Sequence, residues 1–198
     1  MAKQMTIDPT ALISAQAKIA SGVNIWAFAQ VRERVVIGEG TVVGNGAYID
    51  KGVRIGKRVN IHNKALLYRD LIVEDDVFIG PAVCFINDPR PRANVIRNLK
   101  GLMRRVKIGA SIGANASIAA DIHIGCYSMV GAGAVVLESV PDYALVAGVP
   151  ARVKGFVSPR GVKLVCSDKD FSKTITLREP GGKFKLTLPR KKYEQYFQ

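Results

Sequence analysis

Histidine and cysteine are scarce in this sequence, which contains two histidines and three cysteines among 198 residues. The cysteines (Cys84, Cys126 and Cys166) are odd in number and lack CxxC spacing, so we expect reduced thiols rather than a disulfide framework or a zinc site. Two histidines, His62 and His123, are too few for a histidine-rich metal site within one chain. We therefore expect no bound metal.

Long apolar runs are also absent. No stretch approaches the roughly 20 apolar residues that span a bilayer, and the start "MAKQMTIDPT" has no apolar signal-peptide core. We expect a cytoplasmic protein that does not contact a membrane. A hydrophobic content of 48% with 23% charged residues argues against disorder and predicts one main domain with a small appendage.

Acidic residues are few, 16 against 29 Lys and Arg, so the net charge is +13. The excess is concentrated in two segments, with +5 over residues 87–105 and +6 over residues 155–198. Such basic segments attract phosphates, carboxylates or nucleic acid. We expect small anionic substrates and no nucleic-acid partner.

One apolar residue recurs at every sixth position. The series runs over fourteen positions from Ile7 to Phe85 and resumes over six from Val106 to Val136, with a small or apolar residue four positions after nearly every member. A period of six would move the apolar residue around a helix of 3.6 residues per turn, and ordinary strands alternate every second residue. The period is typical of a parallel β-helix, in which each hexad is one short strand plus a turn.

The predicted fold class is therefore all-β, a parallel β-helix over residues 1–154. Three hexads make one triangular coil of about 18 residues, and stacked coils form a prism. Bulky residues fill the interior, and glycines permit the turns.

The repeat is interrupted once, by "FINDPRPRANVIRNLKGLMRR". Pro89, Pro91 and Gly101 favour turns over strands, so residues 87–105 are predicted to form a single protruding loop. A long loop on a solenoid commonly lies on its binding face.

Residues 155–198 lack the six-residue period. The segments "VKLVC", "KTITLRE" and "KFKLTLPRKK" predict short strands with a turn at Pro180-Gly181-Gly182. We expect a small β-rich C-terminal extension that covers the last coil, since the end of a solenoid must hide its core.

Residues 7–157 resemble the hexapeptide-repeat acyltransferases. The resemblance is carried by "NIWAFAQVRE", "GNGAYIDKGVRIG", the loop motif "NDPRPRA" and "MVGAGAVVLESVPDYALVAGVPARVKGFV". These motifs are most similar to the N-acetyltransferases that act on UDP-2-acetamido-3-amino-2,3-dideoxyglucuronate and related nucleotide sugars. Where that group often has Tyr-Glu-Gly, this chain has Tyr68-Arg69-Asp70, and a positive Arg69 indicates a different sugar.

The resemblance implies a left-handed β-helix and an acetyl-CoA-dependent N-acetyltransferase acting on the amino group of a nucleotide-linked amino sugar. It also implies a place in surface-glycan (lipopolysaccharide) synthesis and a homotrimer with active sites between neighbouring prisms.

The loop contains the candidate catalytic residues Asn87 and Asp88. Residues 86–105 lack a histidine, whereas acetyl transfer to a hydroxyl needs a general base. A neutral amine attacks a thioester directly, so its orientation matters more. We predict that Asn87 orients the amine and that Asp88 takes up a proton or pairs with a neighbouring arginine. The alternative for Asn87 is a turn-forming role.

Five residues are candidates for substrate binding. Arg32, Tyr68 and Arg69 are predicted to bind the acceptor, and Arg69, 18 residues before Asn87, should lie beside it on the adjacent coil. Arg90 and Arg92 in the loop could hold the nucleotide diphosphate or a sugar carboxylate.

The candidate cofactor site lies in the last coils. Small side chains in "GANAS" and "GAGAV" leave backbone amides accessible to a pantetheine arm, and the resemblance places Ala114, Asn115 and Ala132 along it. Arg152 and Lys154 are predicted to bind the CoA phosphates through charge-assisted hydrogen bonds.

Two alternatives stay open. One is a γ-carbonic-anhydrase-like zinc enzyme, which needs three histidines converging across subunits. The other is a non-catalytic β-helix scaffold that binds a partner protein. We expect His62 at the surface, and His123 one coil beyond the base of the loop in a solvated or structural role.

Overall fold

The computed structural model describes residues 5–95, 104–166 and 173–197. The short strands of residues 5–156 form three sheets, and each successive strand of a coil belongs to the next sheet. Sheet A contains β1 (Thr6–Ile7), β4 (Asn24–Ile25), β7 (Val42–Val43), β10 (Asn60–Ile61), β13 (Phe78–Ile79), β16 (Ser111–Ile112), β19 (Met129–Val130), β21 (Ala144–Ala147) and β22 (Arg152–Phe156). Sheet B contains β2 (Leu12–Ile13), β5 (Gln30–Val31), β8 (Tyr48–Ile49), β11 (Leu66–Leu67), β14 (Cys84–Phe85), β17 (Ser117–Ile118) and β20 (Val135–Val136). Sheet C contains β3 (Lys18–Ile19), β6 (Val36–Ile37), β9 (Arg54–Ile55), β12 (Leu71–Val73), β15 (Arg104–Val106) and β18 (His123–Ile124).

The pairing register confirms the predicted coil of three hexads. Ile7 pairs with Ile25, and Ile61 pairs with Ile79, always in parallel. Only β22 runs antiparallel to its neighbour within the three sheets as described. The six-residue period therefore sets the topology, because every sixth residue faces inward on the next sheet. The parallel solenoid is consistent with the left-handed sense that the resemblance implies.

The interior follows the hexad pattern closely. The inward residues from Ile25 onward are buried, and the smaller residues four positions later fill the corners. Two polar corner residues are satisfied by the backbone: Thr41 donates to the carbonyl of Gly56 at 3.0 Å, and Ser128 donates to that of Gly125 at 2.8 Å. Buried hydroxyls are thereby tolerated where the prism narrows.

The interruption inserts extra residues without disturbing the prism. In the preceding coil, Leu67 pairs with Phe85 and three hexads separate the two residues. Phe85 in turn pairs with Ile118, and the interruption makes this separation much longer than three hexads. The chain leaves after sheet B and returns on sheet C, where Val106 pairs with Val73. Arg104 and Arg105, which the sequence interpretation placed in the loop, belong to β15. Residues 96–103, with the loop residues Arg97 and Lys100, lie outside the described part of the chain.

The two ends of the prism differ. At the N-terminal end, Ile7 is 40% exposed despite its inward position, because no coil precedes it in the described chain. At the C-terminal end, β23 (Val165–Cys166), β24 (Thr174–Arg178) and β25 (Lys185–Pro189) form an antiparallel sheet, followed by helix α1 (Arg190–Gln195). Rings of this extension pack on the last coil, with Tyr193 and Tyr196 against Phe156.

The predicted C-terminal strands are confirmed, whereas α1 was not anticipated. The division between residues 154 and 155 stays a prediction, and β22 crosses that position. Within the described residues, no helix is both long enough and apolar enough to cross a bilayer.

Candidate active site

Two of the three prism corners carry the predicted functional residues. Corner AB is the turn from sheet A to sheet B, and it repeats at residues 26–29, 44–47, 62–65, 80–83, 113–116 and 131–134. Corner BC is the turn from sheet B to sheet C, and it repeats at residues 32–35, 50–53, 68–70, 86–88 and 119–121. The loop projects from corner BC.

Corner BC brings together the predicted catalytic and acceptor-binding residues. Leu67 pairs with Phe85, so Arg69 and Asn87, each two residues further on, occupy equivalent positions on neighbouring coils. Tyr68 precedes Arg69 in the chain and occupies the neighbouring turn position. Arg32 occupies the same turn position as Tyr68, two coils earlier. Arg32 and Arg69 are exposed, while Asn87 is half-buried.

Asp50 organises this corner, although the sequence interpretation did not include it. Its carboxylate accepts hydrogen bonds from Tyr48 Oη at 3.2 Å and from the backbone N–H of Arg69 at 3.2 Å, and it lies 3.5 Å from Arg69 Nε. Burial, together with the Asp50 carboxylate, raises the pKa of Tyr48. Tyr48 also packs against Tyr68, with ring centroids 5.9 Å apart. The regular spacing of three hexads from Arg32 to Asp50 and from Asp50 to Tyr68 was the signal that could have identified Asp50.

The start of the loop forms a tight turn. Asp88 Oδ1 accepts a hydrogen bond from the backbone N–H of Arg90 at 2.8 Å, which closes an Asx-type turn just after Asn87. Arg92 donates to the carbonyl of Pro91 at 3.0 Å. Asp88 therefore has a structural role that sequence reasoning did not assign, and Arg90 and Arg92 lie exposed beside the corner.

Corner AB presents the predicted cofactor residues on a nearly flat backbone surface. A Cβ added to Gly80 would lie 2.7 Å from Ala114 N, and one added to Gly113 would lie 2.5 Å from Ala132 N, so the coils approach closely only because glycine is present. Among the described residues, nothing accepts a hydrogen bond from the N–H of Ala114 or Ala132. These two groups are donors that an extended amide-containing ligand can use.

The remaining cofactor residues border this corner. Asn115 occupies the turn with φ of 58° and donates its N–H to the carbonyl of Pro81 at 2.8 Å. Arg152 pairs with Ala147 at the end of sheet A, and Lys154 is exposed on the same strand. Arg152 therefore lies at the C-terminal end of corner AB, and Lys154 lies two residues further along β22, over sheet A.

A single chain does not bring the two groups together. Ala114 and Ala120, the turn position equivalent to Asn87, are six residues apart along one coil, roughly 20 Å for extended backbone. The predicted catalytic residues and the predicted cofactor residues thus lie at opposite edges of sheet B.

The two histidines lie far apart on the fold. His62 is exposed on corner AB, as predicted. His123 lies on sheet C, where it pairs with Arg105 one coil beyond the return of the loop, and its Nδ1 is buried without a hydrogen-bond partner in the described chain. The described residues contain no group of three or more His, Cys, Asp and Glu placed to hold a metal.

Corner AB also contains a depression that the sequence did not predict. It has a volume of about 200 Å³ and is lined by Trp26, Val42, Gly44, Asn60, Ile61, His62 and Asn63. The ring of His62 packs on Phe78 with centroids 4.7 Å apart. Three hexads separate Trp26 from Gly44 and Gly44 from His62, which is the signal that could have revealed this site.

Comparison with known proteins agrees with this architecture. The family model described as bacterial transferase hexapeptide (six repeats) matches residues 16–51 and 34–69. Residues 16–69 therefore match a hexapeptide-repeat segment of this family. The repeats of this chain extend well beyond the matched segment, since the same register continues through β20.

Curated relatives match over short segments. A dTDP-3-amino-3,6-dideoxy-alpha-D-galactopyranose 3-N-acetyltransferase of Aneurinibacillus thermoaerophilus is 64% identical over 52 residues, which cover 26% of this chain and 27% of the relative. A serine acetyltransferase of Haemophilus influenzae is 51% identical over 49 residues, covering 25% and 18%. The chain thus aligns with about a quarter or less of the length of these relatives.

Solved structures match over more of the chain. The acetyltransferase domain of PglB from Neisseria gonorrhoeae FA1090, in complex with acetyl coenzyme A, is 22% identical with a TM-score of 0.54, covering 77% of this chain and 58% of that one. This likeness shows the fold. A hexapeptide-repeat-containing acetyltransferase of Vibrio cholerae, complexed with acetyl coenzyme A, is 25% identical with a TM-score of 0.51, covering 62% and 70%.

Proposed function

We propose that the protein is an acetyl-CoA-dependent N-acetyltransferase that acts on the amino group of a nucleotide-linked amino sugar. The observation that carries the proposal is the pairing of a histidine-free loop start, Asn87-Asp88, with a glycine-lined corner that presents the unpaired N–H groups of Ala114 and Ala132. The relative from Aneurinibacillus, named for transfer to a 3-amino sugar, supports the same chemistry.

The cofactor would extend along corner AB. Ala114, Asn115 and Ala132 leave room for a pantetheine arm, whose amides could accept from the free N–H groups. Arg152, at the end of the corner, and Lys154, two residues further along β22, would bind phosphates. Acetyl-CoA supplies an activated thioester there, and the chain has to present it to the amine.

The acceptor would bind at corner BC beside Asn87. The side-chain carbonyl of Asn87 can accept a hydrogen bond from the amine and direct its lone pair. The amide does not titrate near neutral pH, so it is an acceptor at every pH in that range. The amine forms a C–N bond as the C–S bond breaks, and the proton that it loses ends on the CoA sulfur. The Asx-type turn of Asp88 would hold Asn87 in position.

Acceptor recognition would use the cations around this corner. Arg69 is anchored through Asp50, and Arg32 and Tyr68 lie in the adjacent column. Arg90 and Arg92 would contact the diphosphate. The four arginines would favour an anionic acceptor over a neutral amino acid.

The separation of the two corners supports a homotrimer. Acyl transfer requires reacting atoms about 3–3.5 Å apart, so corner AB of one chain must face corner BC of another. This contact is heterologous, and a rotation of one third of a turn closes it into a ring. We further infer that the enzyme acts in the cytoplasm and supplies surface-glycan synthesis, where nucleotide-activated sugars are consumed.

The zinc-enzyme alternative is not favoured, because His62 and His123 lie on different faces of the prism and a three-histidine site would need a third ligand. The scaffold alternative predicts no turnover.

The test is acetyl-CoA-dependent release of thiol with UDP- and dTDP-linked 3-amino sugars, with product mass confirmed by mass spectrometry. The matched controls are the same nucleotide sugars bearing a hydroxyl in place of the amine, and L-serine. We expect turnover only with the amines. Turnover with serine or the hydroxyl sugars alone would overturn the proposal, and no turnover with any acceptor would support the scaffold.

A further inference from the structure

The depression on corner AB, called the slot below, has two aromatic residues in its lining, Trp26 and His62. Trp26 and His62 follow sheet A two coils apart, and Gly44 occupies the coil between them. Neighbouring coils are about 4.8 Å apart, so the backbones that carry Trp26 and His62 are roughly 10 Å apart, and a flat ring can lie between their side chains against the backbone of Gly44. Glycine at position 44 leaves that space without a side chain.

The His62 wall of the slot is supported by a further aromatic ring. Phe78, one coil beyond His62, packs on the imidazole with centroids 4.7 Å apart and thereby backs it from the C-terminal side. Trp26 is 51% exposed, an unusual state for the only tryptophan in the chain. A Cβ on Gly44 would lie 2.6 Å from the backbone of His62 and Asn63, so the close approach of these coils depends on glycine.

The rim of the slot offers amide groups. Asn63 Oδ1 accepts from the backbone N–H of Asn45 at 3.0 Å, which leaves its Nδ2 available as a donor. The Asn60 side chain makes no hydrogen bond among the described residues, so it can both donate and accept. A flat ring with two carbonyls and one N–H matches this set.

The size of the slot limits its ligand. A volume of about 200 Å³ lies below the roughly 300–1,000 Å³ of pockets for drug-sized molecules. One six-membered ring fits, whereas a whole nucleotide does not. Stacking between aromatic side chains is a common way to bind single bases.

We propose that the slot formed by Trp26, Gly44 and His62 binds the uracil or thymine base of a pyrimidine nucleotide. Resting on the proposed function, this base belongs to the acceptor sugar nucleotide.

The order of sites along the prism supports that assignment. Asn87 follows β14, on the same coil as Gly80. Ala114 and Ala132 lie one and two coils beyond that level, whereas His62 lies one coil before it. A threefold axis parallel to the prism keeps these levels when the corners of two chains meet. The cofactor and the base then approach Asn87 from opposite ends.

The single tryptophan provides a direct binding assay. We expect UMP or dTMP to quench the fluorescence of Trp26, with AMP, GMP and adenosine 3′,5′-bisphosphate at least ten-fold weaker. His62→Ala should weaken binding of the pyrimidine nucleotide at least ten-fold. Trp26→Ala, measured by calorimetry, should do the same. Phe28→Ala is the control, since Phe28 is a neighbouring exposed aromatic outside the slot, and it should bind like wild type.

The outcomes separate this proposal from the proposed function. Equal binding of purine nucleotides, or unchanged binding in both His62→Ala and Trp26→Ala, would overturn the slot even if amino sugars are acetylated. Selective pyrimidine binding in a protein without acetyl transfer would support the slot and overturn the proposed function. Tighter binding of adenosine 3′,5′-bisphosphate would assign the slot to the adenine end of coenzyme A instead, which also contradicts the proposal.

Discussion

Arg69 and Asn87 occupy the same turn position on neighbouring coils, because Leu67 pairs with Phe85 and each residue lies two positions further on. The guanidinium of Arg69 is held from one side by Asp50, with Nε 3.5 Å from the carboxylate. An amide and a positive charge therefore occupy neighbouring coils at the base of the loop. This geometry suits the orientation of a charged acceptor.

The loop arginines should serve the sugar nucleotide. Arg90→Ala combined with Arg92→Ala removes two cations beside the acceptor corner and should raise KM for the sugar nucleotide about ten-fold or more, because charge-assisted hydrogen bonds to phosphate are strong. KM for acetyl-CoA should stay nearly unchanged in steady-state assays. Lys191→Ala with Lys192→Ala removes the same charge from helix α1 and is the control. Equal effects on both KM values would remove the proposed role of the loop.

The oligomeric state should be a trimer. Multi-angle light scattering should give a mass about three times the 21.4 kDa of one chain at micromolar concentrations. The reason is that corner AB, with the proposed cofactor site, and corner BC, with the proposed catalytic residues, lie at opposite edges of sheet B in each chain. The mass of a single chain in an active preparation would contradict the shared site.

Much of this fold could be predicted from the sequence, because a repeat with a fixed period leaves each coil one way to pair. Ile61 and Ile79 pair as a coil of three hexads requires. The period says little about outward side chains, since these are not selected by packing. Asp50 and Trp26 were therefore missed, although each lies a whole number of coils from a residue already singled out. Helix α1 was missed because its short sequence carries no apolar period, and its tyrosine is ordered by contact with Phe156.

The buried guanidinium of Arg104 should lower the free energy of unfolding. It lies in a corner between Leu71 and Ile122, is 4% exposed, and its three side-chain nitrogens have no hydrogen-bond partner among the described residues. Burial lowers the pKa of Arg104, although the negative charges of Asp70 and Asp121 favour the charged guanidinium. Arg104→Met should stabilise the fold by about 1–4 kcal/mol in chemical denaturation.

The control for that variant is Arg105→Met, because Arg105 is exposed and pairs with Glu74 at 2.9 Å. Arg105→Met should change the free energy of unfolding little. A clear loss of stability in Arg104→Met would show that the guanidinium has an acceptor in a neighbouring subunit.

Glu179 should make the C-terminal extension sensitive to acid. This buried carboxylate accepts from Arg160 Nη2 at 2.8 Å and from Ser158 Oγ at 3.0 Å, and the bond from Arg160 lowers the pKa of Glu179. Because the folded pKa is below the unfolded value of about 4.3, this contribution to stability is present above that pH and is lost as the pH falls through the folded pKa. Glu179→Gln should lower Tm at pH 7 and converge with wild type in acid.

The control is Glu194→Gln, which removes an exposed pair with Arg190 and should change Tm little at any pH. A constant difference in Tm between wild type and Glu179→Gln from pH 7 to pH 3 would argue against the charged pair.

The central claim is that Asn87 orients an amine for direct attack on the thioester, and the most direct test is kcat of Asn87→Ala with a nucleotide-linked 3-amino sugar. We predict a fall of roughly ten- to a thousand-fold, with Tm unchanged because Asn87 lies outside the packed interior. His123→Ala should stay within a few-fold of wild type. Full turnover in Asn87→Ala would contradict the claim, and a large loss in His123→Ala would point to a histidine base and a hydroxyl acceptor.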